Sequence, residues 1–543
     1  MPVNFAIYRI LGNSLPPRHD PECTLRNLRY ILAHEADLPG CSKHWILNGL
    51  IDQALATECR TLIEAAGQEC HVLPFDEAVY NAQFLDASGL PADLAGNYPP
   101  DFNPVLIRNR LAIEWIYRHK SLTAININRA RNMALDLGQS HARWTIPLDG
   151  GCYFTVDDWV SLTRTLDADT DALYALIPML RLESNDRFME VPGAYPIEPQ
   201  IAFRDDAPDR FDERLRYGNR NKAEFLVRIA APGPWHTWNA ADWDDFTPVA
   251  AKAPGCFTVA GRAYRLETGA APQVESHERQ RHAARFEGVV AMTNALDRRA
   301  LMSRMCRDCV MPLLAPEQTV DLRAQCEQLL DRWQHAYAEN GWKALRKLWI
   351  LPMIYGCGSA DPRLVAGAGP LLKFMESGEE GIRTSLGMDA DGTWMHLLKL
   401  ALALYTAQWS LASRLLNYAP LRFIAQQTRN ASIPPAALTE RIDRANAWVL
   451  LARLSHFAGV DVAAFRGVSG ESIPALLEDL ARKGPEAPQW QADFQAYGQW
   501  LQMLQALLDG RVCASDAADC GDLMPEGWRI LAASAYRPGS AET

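Results

Sequence analysis

The sequence lacks the features of a membrane-spanning or general nucleic-acid-binding protein. No window of its 543 residues approaches 18 consecutive apolar residues, so we predict no transmembrane helix. The net charge of -11 argues against nonspecific binding to nucleic acid. The first residues also lack a basic region before their apolar run, so we predict no signal peptide. We therefore expect a cytoplasmic protein, with peripheral membrane association left open.

The twelve cysteines form no complete metal-binding or disulfide pattern. Cys306 and Cys309 make one C-x-x-C element, but no second pair or nearby histidine completes a zinc site. Without a signal for export, reduced and buried thiols are the favoured interpretation.

Strand and helix patterns alternate at the start of the chain. Apolar runs at 4–11, 44–50 and 71–75 indicate strands, and periodic apolar residues at 24–36 and 54–66 indicate helices. This alternation predicts βαβ units and a parallel sheet.

The stretch from 125 to 159 carries the main functional signal. A predicted helix is followed by a strand at 142–148 and by Asp149, Gly150 and Gly151. A carboxylate at the carboxyl end of such a strand lies in the crevice where open α/β sheets bind ligands. Paired glycines would let the backbone approach a bulky ligand, and the carboxylate could hold a divalent cation against a diphosphate. The alternative is a plain tight turn in which the aspartate bonds its own backbone.

Residues 1–295 resemble the GT-A glycosyltransferases. The resemblance is carried by the early RILGN turn, the βαβ units, the N-x-AR-N helix, the WTIPLDGG strand end and the later FDERLRYGNRNKAEFL segment. These enzymes usually end the strand in D-x-D. Here the sequence is Asp149-Gly150-Gly151, so one carboxylate is missing.

The resemblance implies a nucleotide-sugar donor, with a UDP-sugar favoured, and a glycan or polysaccharide acceptor. It also implies a divalent metal, Mn²⁺ or Mg²⁺, held by Asp149 and by His236, although a single histidine between aromatic residues is more often structural. The implied donor-binding residues are Arg9, Asn13, Arg18, Asn48, Asn128, Arg131, Asn132, Gly150 and Gly151. For each of these, a helix cap or a solvated helix face is the alternative.

Sugar transfer with inversion needs a carboxylate base for the acceptor hydroxyl. The resemblance points to Glu224 first and Asp212 second. The rival interpretation is ion pairing with the arginines nearby in the sequence, since charge-dense helices are usually salt-bridged.

From about residue 301 the pattern changes to successive amphipathic helices. Residues 320–510 resemble the α/α-toroid of alginate-lyase-like proteins. The Asn/His element of such lyases would fall at 354–359, where it is absent, and Tyr405 is followed by a threonine in place of histidine. We therefore expect His396 and Tyr405 to lie in the core or on a helix face and not to be catalytic.

These patterns predict an α/β domain at 1–298, of GT-A (Rossmann-like) class, followed by an all-α, toroid-like domain at 299–543. The predicted function is sugar transfer in bacterial surface or exopolysaccharide assembly. Two alternatives stay open: a uronate polysaccharide lyase, and a noncatalytic polysaccharide-binding scaffold.

Overall fold

The computed structural model describes residues 3–83, 114–182, 185, 195–218, 222–233, 249–268, 278–308, 316–358, 362–430, 438–467, 470–483, 501, 502, 504, 505 and 508. The chain divides into two compact units. The first comprises Met1–Gln83 and Tyr117–Thr293, and the second comprises Phe84–Ile116 and Asn294–Thr543. The division predicted at 298/299 stays a prediction.

The first unit is built on a mixed β-sheet. Its strands in the described ranges are β1 Val3–Leu11, β2 Cys41–Asn48, β3 Glu69–Leu73, β4 Ala142–Asp149, β5 Cys152–Tyr153, β6 Tyr174–Arg181, β7 Tyr195–Arg204, β8 Phe257–Val259 and β9 Ala263–Arg265. The order is β3-β2-β1-β4-β7-β6-β9-β5, with β8 paired to β6. Strands β3, β2, β1 and β4 are parallel, whereas β7 runs antiparallel to both β4 and β6. The parallel half confirms the βαβ prediction.

Helices cover both faces of this parallel half because alternate residues of each strand point to opposite faces. The helices of the unit are α1 Cys23–His34, α2 Gln53–Ala65, α3 Glu77–Ala82, α4 Arg118–Ala124, α5 Ile127–Gly138, α6 Val156–Ala168 and α7 Ala223–Arg228, and α8 Glu278–Asp308 contributes residues to both units. On one face, Tyr8 and Ile10 pack with Ala130 and Ala134 of α5. On the other, Leu11 packs with residues of α1 and α2. The α/β class is therefore confirmed for this unit, whereas the specific GT-A architecture stays a proposal.

The sequence also predicts a pair of strands near 256–266. Two strands, β8 and β9, are present there, but they do not pair with each other in the described structure. Both run parallel to β6 instead, with Tyr174 opposite Phe257 and Leu180 opposite Tyr264.

The second unit is helical throughout its described part. After α8 its helices are α9 Pro316–Asp331, α10 Trp333–Asn340, α11 Trp342–Leu345, α12 Leu351–Tyr355, α13 Pro362–Ser377, α14 Glu379–Leu386, α15 Ala390–Tyr405, α16 Trp409–Asn430, α17 Leu438–Phe457 and α18 Ile473–Lys483, with short 3₁₀ turns at Arg346–Ile350 and Val462–Ala464. Helix α15 is buried along its whole length apart from Asp391. A helix that is apolar all round belongs to the centre of a core. The helical class is thus confirmed, and a toroidal arrangement stays a prediction.

The apolar periodicity of residues 393–416 predicts one helix, but the structure has two. Helix α15 ends at Tyr405 and α16 begins at Trp409. The connection is a Schellman turn: Gln408 N–H donates to Ala403 O at 2.8 Å and Ala407 N–H donates to Leu404 O at 3.3 Å. This turn places Ala407 at φ 56°, in the left-handed region. Because alanine fits the helical pattern on both sides, its sequence gives no sign of the break.

No helix among the described residues combines the length and apolar character needed to cross a bilayer.

We predict that Ala407→Gly stabilises the second unit. Glycine adopts positive φ without the clash between Cβ and carbonyl, so the gain should be about 1 kcal/mol. The matched control is Ala412→Gly in α16, where glycine should cost about 1 kcal/mol. Thermal unfolding should move the two midpoints in opposite directions, and a loss of stability in Ala407→Gly would contradict the assignment of the turn.

Candidate functional site

A cavity of about 1020 Å³ lies at the carboxyl ends of β1 and β4. The strand order reverses between these two strands, since β2 and β3 lie on one side of β1 and β4 on the other. Open α/β sheets bind ligands at such a switch point. The turn after β1 contributes Gly12 and Asn13, and the end of β4 contributes Asp149, Gly150 and Gly151.

The cavity is strongly basic although the chain is acidic overall. Six basic side chains line it, against two carboxylates, Asp149 and Glu198, among the described residues. The basic side chains are Arg18, Arg131, Arg181, Lys222, Arg265 and Arg285. His19 also lines the cavity; its burial and the surrounding arginines lower its pKa to about 3, so its ring is neutral at pH 7. A site with this charge balance selects anionic ligands.

The carboxylate of Asp149 contacts three of these basic side chains. Its Oδ1 accepts a hydrogen bond from Arg131 Nη2 at 3.2 Å, and its Oδ2 accepts from Arg265 Nη1 at 2.9 Å and from Gln200 Nε2 at 3.2 Å. Lys222 Nζ lies 3.7 Å from the same Oδ2. Burial alone would raise the pKa of Asp149, but Lys222, Arg265 and Arg131 outweigh it and hold the pKa well below its usual value. Asp149 is therefore a carboxylate anion at neutral pH.

This surrounding does not fit the divalent metal that the D-x-D resemblance implies at Asp149. Three cationic side chains lie within 3.7 Å of the carboxylate and would repel an added Mg²⁺ or Mn²⁺. Both carboxylate oxygens already accept hydrogen bonds. Asp149 thus binds cationic side chains in this structure, and its assignment as a metal ligand stays a prediction that these contacts do not favour. The second implied ligand, His236, lies outside the described residues.

Six of the predicted donor-binding residues line the cavity. They are Asn13, Arg18, Asn48, Arg131, Gly150 and Gly151. Asn13 bridges two loops, because its Nδ2 donates to Gly49 O at 2.7 Å and its Oδ1 accepts from Ile51 N–H at 3.0 Å. Gly150 is required for a different reason from the one expected: a Cβ there would lie 2.5 Å from Ile10 O of the neighbouring strand. Strand packing therefore explains that glycine without any ligand.

Three other predicted donor ligands do not reach the cavity. Arg9 is fully buried, forms an ion pair with Glu35 and donates to Cys152 O at 3.0 Å. Asn128 Nδ2 donates to the main-chain carbonyl of Asp212 at 2.7 Å, and Asn132 Nδ2 donates to Phe211 O at 3.0 Å. The Asn-x-x-Arg-Asn pattern thus mainly docks segment 211–213 onto α5, and only its arginine faces the cavity.

Neither predicted catalytic base lines the cavity. Glu224 is buried in a two-pronged ion pair with Arg228, at 2.8 and 3.2 Å, and its burial raises its pKa. Asp212 is buried against Arg214 at 2.7 Å. Both form the ion pairs of the rival interpretation. A catalytic role for Glu224 or Asp212 stays a prediction.

The carboxylate that sequence reasoning missed is Glu198. It lines the cavity beside Pro199, and its Oε1 is buried without a hydrogen-bond partner among the described residues. Between the cross-strand pairs Ile177–Gln200 and Met179–Ile197, β7 places two residues opposite Pro178 of β6, which is a β-bulge. Bulges redirect side chains near active sites. Pro178, inside the apolar run 172–182 that predicts a strand, was the available signal for it.

A separate group of side chains in the same unit could hold a metal ion. His44, Glu69 and His71 bring one potential ligand atom each to within 4.8 Å of one another. These residues lie on β2 and β3 and do not line the cavity.

The expected core positions in the second unit are confirmed. His396 Nε2 lies 2.9 Å from Leu415 O, and its burial lowers its pKa to about 3. Tyr405 is fully buried. Neither position is suited to bind a polysaccharide.

No protein-family model matches the chain, and no curated protein matches it either. Function is therefore inferred from the geometry of the cavity.

We predict that Asp149→Asn lowers the thermal midpoint at pH 7, because buried Arg131 and Lys222 and half-buried Arg265 lose their counter-charge. The difference from wild type should shrink as the pH falls below about 4, since a carboxylate with a lowered pKa contributes stability above its unfolded value and loses it on protonation. Asp167→Asn, at an exposed position of α6, is the control. A midpoint difference that is independent of pH between 7 and 3 would contradict the ionised role of Asp149.

Proposed function

We propose that this protein is a glycosyltransferase that moves a sugar from a nucleotide-sugar donor, with a UDP-sugar favoured, to a glycan or polysaccharide acceptor. The observation that carries the proposal is the basic cavity at the switch point between β1 and β4. A role in bacterial surface or exopolysaccharide assembly follows from the family resemblance alone and is part of the same proposal.

The basic side chains supply what the donor requires. A nucleotide sugar carries a diphosphate, and guanidinium groups match phosphate oxygens with paired N–H donors. Arg131, Lys222 and Arg265 are already fixed by Asp149, so little conformational entropy remains to be lost when they bind an anion. Negative charge grows on the diphosphate as the sugar leaves, and fixed cations stabilise that charge most in a water-poor site.

Glu198 is placed to serve as the base. In an inverting transfer, the acceptor hydroxyl oxygen bonds to the anomeric carbon while the bond from that carbon to the diphosphate oxygen breaks. The carboxylate takes the hydroxyl proton, and the nucleoside diphosphate leaves with the bonding electron pair. Of the two carboxylates that line the described cavity, Asp149 is committed to its cations, which leaves Glu198 for this step.

The cationic side chains around Asp149 also affect whether the transfer needs a divalent metal. Mn²⁺ or Mg²⁺ would serve chiefly to neutralise the negative charge of the diphosphate. Next to Asp149, the side chains of Arg131, Lys222 and Arg265 supply positive charge for the same purpose. We therefore propose a transfer that needs no divalent metal at Asp149, in contrast to the Mn²⁺ or Mg²⁺ dependence implied by the resemblance.

We predict that UDP binds the full-length protein in excess EDTA and that uridine does not bind measurably. Lys222→Gln should weaken UDP binding about tenfold, the loss typical of a hydrogen bond to a charged group. Lys252→Gln, which changes an exposed lysine, should leave the affinity unchanged. Isothermal titration calorimetry with UDP, GDP and uridine measures this. Binding that requires Mn²⁺, or that is equal for uridine and UDP, would contradict the proposal.

We predict that Glu198→Gln lowers turnover by about 10²-fold or more, because general-base catalysis contributes that much, while UDP affinity stays within a few-fold. The matched variant is Glu224→Gln, which breaks an ion pair away from the cavity and should lower stability more than turnover. Release of UDP from a panel of UDP-sugars with glycan acceptors gives the rate. Nucleotide binding without turnover by wild-type protein would point instead to a noncatalytic binding protein.

A further inference from the structure

Three metal-ligand side chains meet on the sheet away from the cavity. His44 on β2 lies directly opposite Glu69 on β3, and His71 follows Glu69 by two residues on the same face. Asn48, which lines the cavity, is four residues beyond His44, or about 13 Å along the strand. The group is therefore distinct from the proposed donor site.

The spacing of the ligand atoms fits a tetrahedral zinc ion. With Zn–N and Zn–O bonds of about 2.0–2.1 Å, neighbouring ligand atoms of a tetrahedron lie about 3.3 Å apart. The observed separations bracket this value: His44 Nδ1 lies 3.1 Å and His71 Nε2 lies 3.7 Å from Glu69 Oε2. All three ligand atoms lie within 4.8 Å of one another, so rotation of the side chains would bring them to one ion.

Both ring nitrogens of His44 have polar neighbours. Its Nε2 lies 2.8 Å from Ser42 Oγ, and its Nδ1 forms a 3.1 Å hydrogen bond with Glu69 Oε2. A metal ion bound here would replace the proton between Nδ1 and Glu69, and Nε2–H would then donate to Ser42 Oγ. Metal-bound histidines typically donate their other N–H in this way.

The other residues around His44, Glu69 and His71 are also compatible with a bound metal ion. Tyr8 stacks on His44 with ring centroids 4.6 Å apart, which fixes the imidazole plane. His71 Nε2 is buried and has no hydrogen-bond partner among the described residues. The Glu69 side chain is 70% exposed, so an ion can reach the site from solvent. Cys70, between the two β3 ligands in sequence, points to the opposite face and packs against the core there.

We propose that His44 Nδ1, Glu69 and His71 Nε2 bind one Zn²⁺ ion, with water completing the tetrahedron, and that the ion ties edge strand β3 to β2. Imidazole and carboxylate ligands in this number suit zinc, which tolerates three protein ligands plus water. The order of strands supports a stabilising role, because β3 is the outer strand on this side of the sheet and pairs with β2.

The test is a Zn²⁺ titration of the full-length protein after removal of metals with a chelator and dialysis, followed by calorimetry. We expect one site whose affinity falls at least tenfold in Glu69→Gln and in His71→Gln. Ser42→Ala keeps all three ligands and should weaken binding about 10–100-fold through loss of the supporting hydrogen bond. Zn²⁺ should also raise the thermal midpoint of wild type, since it binds the folded state.

The control is His335→Gln, which removes a surface histidine that lies 3.1 Å from Glu339 and belongs to no group of three potential metal ligands in the described structure. Its Zn²⁺ affinity should equal that of wild type. The proposal is overturned if no Zn²⁺ binds, or if binding is unchanged in both Glu69→Gln and His71→Gln, as binding through the protein's thiols would give. Because no nucleotide enters the measurement, its outcome is independent of the glycosyltransferase proposal.

Discussion

The buried carboxylate of Asp149 is the interaction on which the N-terminal unit's cavity depends. It joins Arg131 of α5, Gln200 of β7, Arg265 of β9 and Lys222, which precedes α7. Cations gathered at one place repel one another and are costly to bury, so a fixed counter-charge is needed to hold them. Asp149 lies at the strand end at the switch point. Its contacts with Arg131, Lys222 and Arg265 therefore join separate segments of the chain and also hold these three cations at the ligand cavity.

The cavity has a carboxylate on one side and cationic side chains on the other. Glu198 approaches from the bulge in β7, on the antiparallel part of the sheet, whereas the cations gather at the end of parallel β4. Sugar transfer needs both environments at once. The anionic leaving group needs the positive one, and the hydroxyl nucleophile needs a group that can accept its proton. Burial, and to a smaller extent the neighbouring arginines, lowers the pKa of His19, so its ring adds no charge to the positive environment at neutral pH.

The sequence predicted strands β1 to β4, helices α1 and α2, and the strand-end position of Asp149, because these follow from local periodicity and from the rule that ligands gather at strand ends. It misassigned the partners because they are set by distant parts of the chain: Arg265 is 116 residues from Asp149. Asn128 and Asn132 have side chains that suit phosphate or main-chain groups equally well, and only the packed position of segment 211–213 decides between them. The same limit applies to Glu198, whose direction is set by a bulge.

The most direct test is a crystal structure of the protein grown with UDP and Mn²⁺, with anomalous diffraction data collected for manganese. The account predicts the diphosphate within hydrogen-bonding distance of Lys222 or Arg265, with no manganese peak at bonding distance from Asp149. A manganese ion coordinated by Asp149 and the diphosphate, or UDP bound outside this cavity, would contradict it.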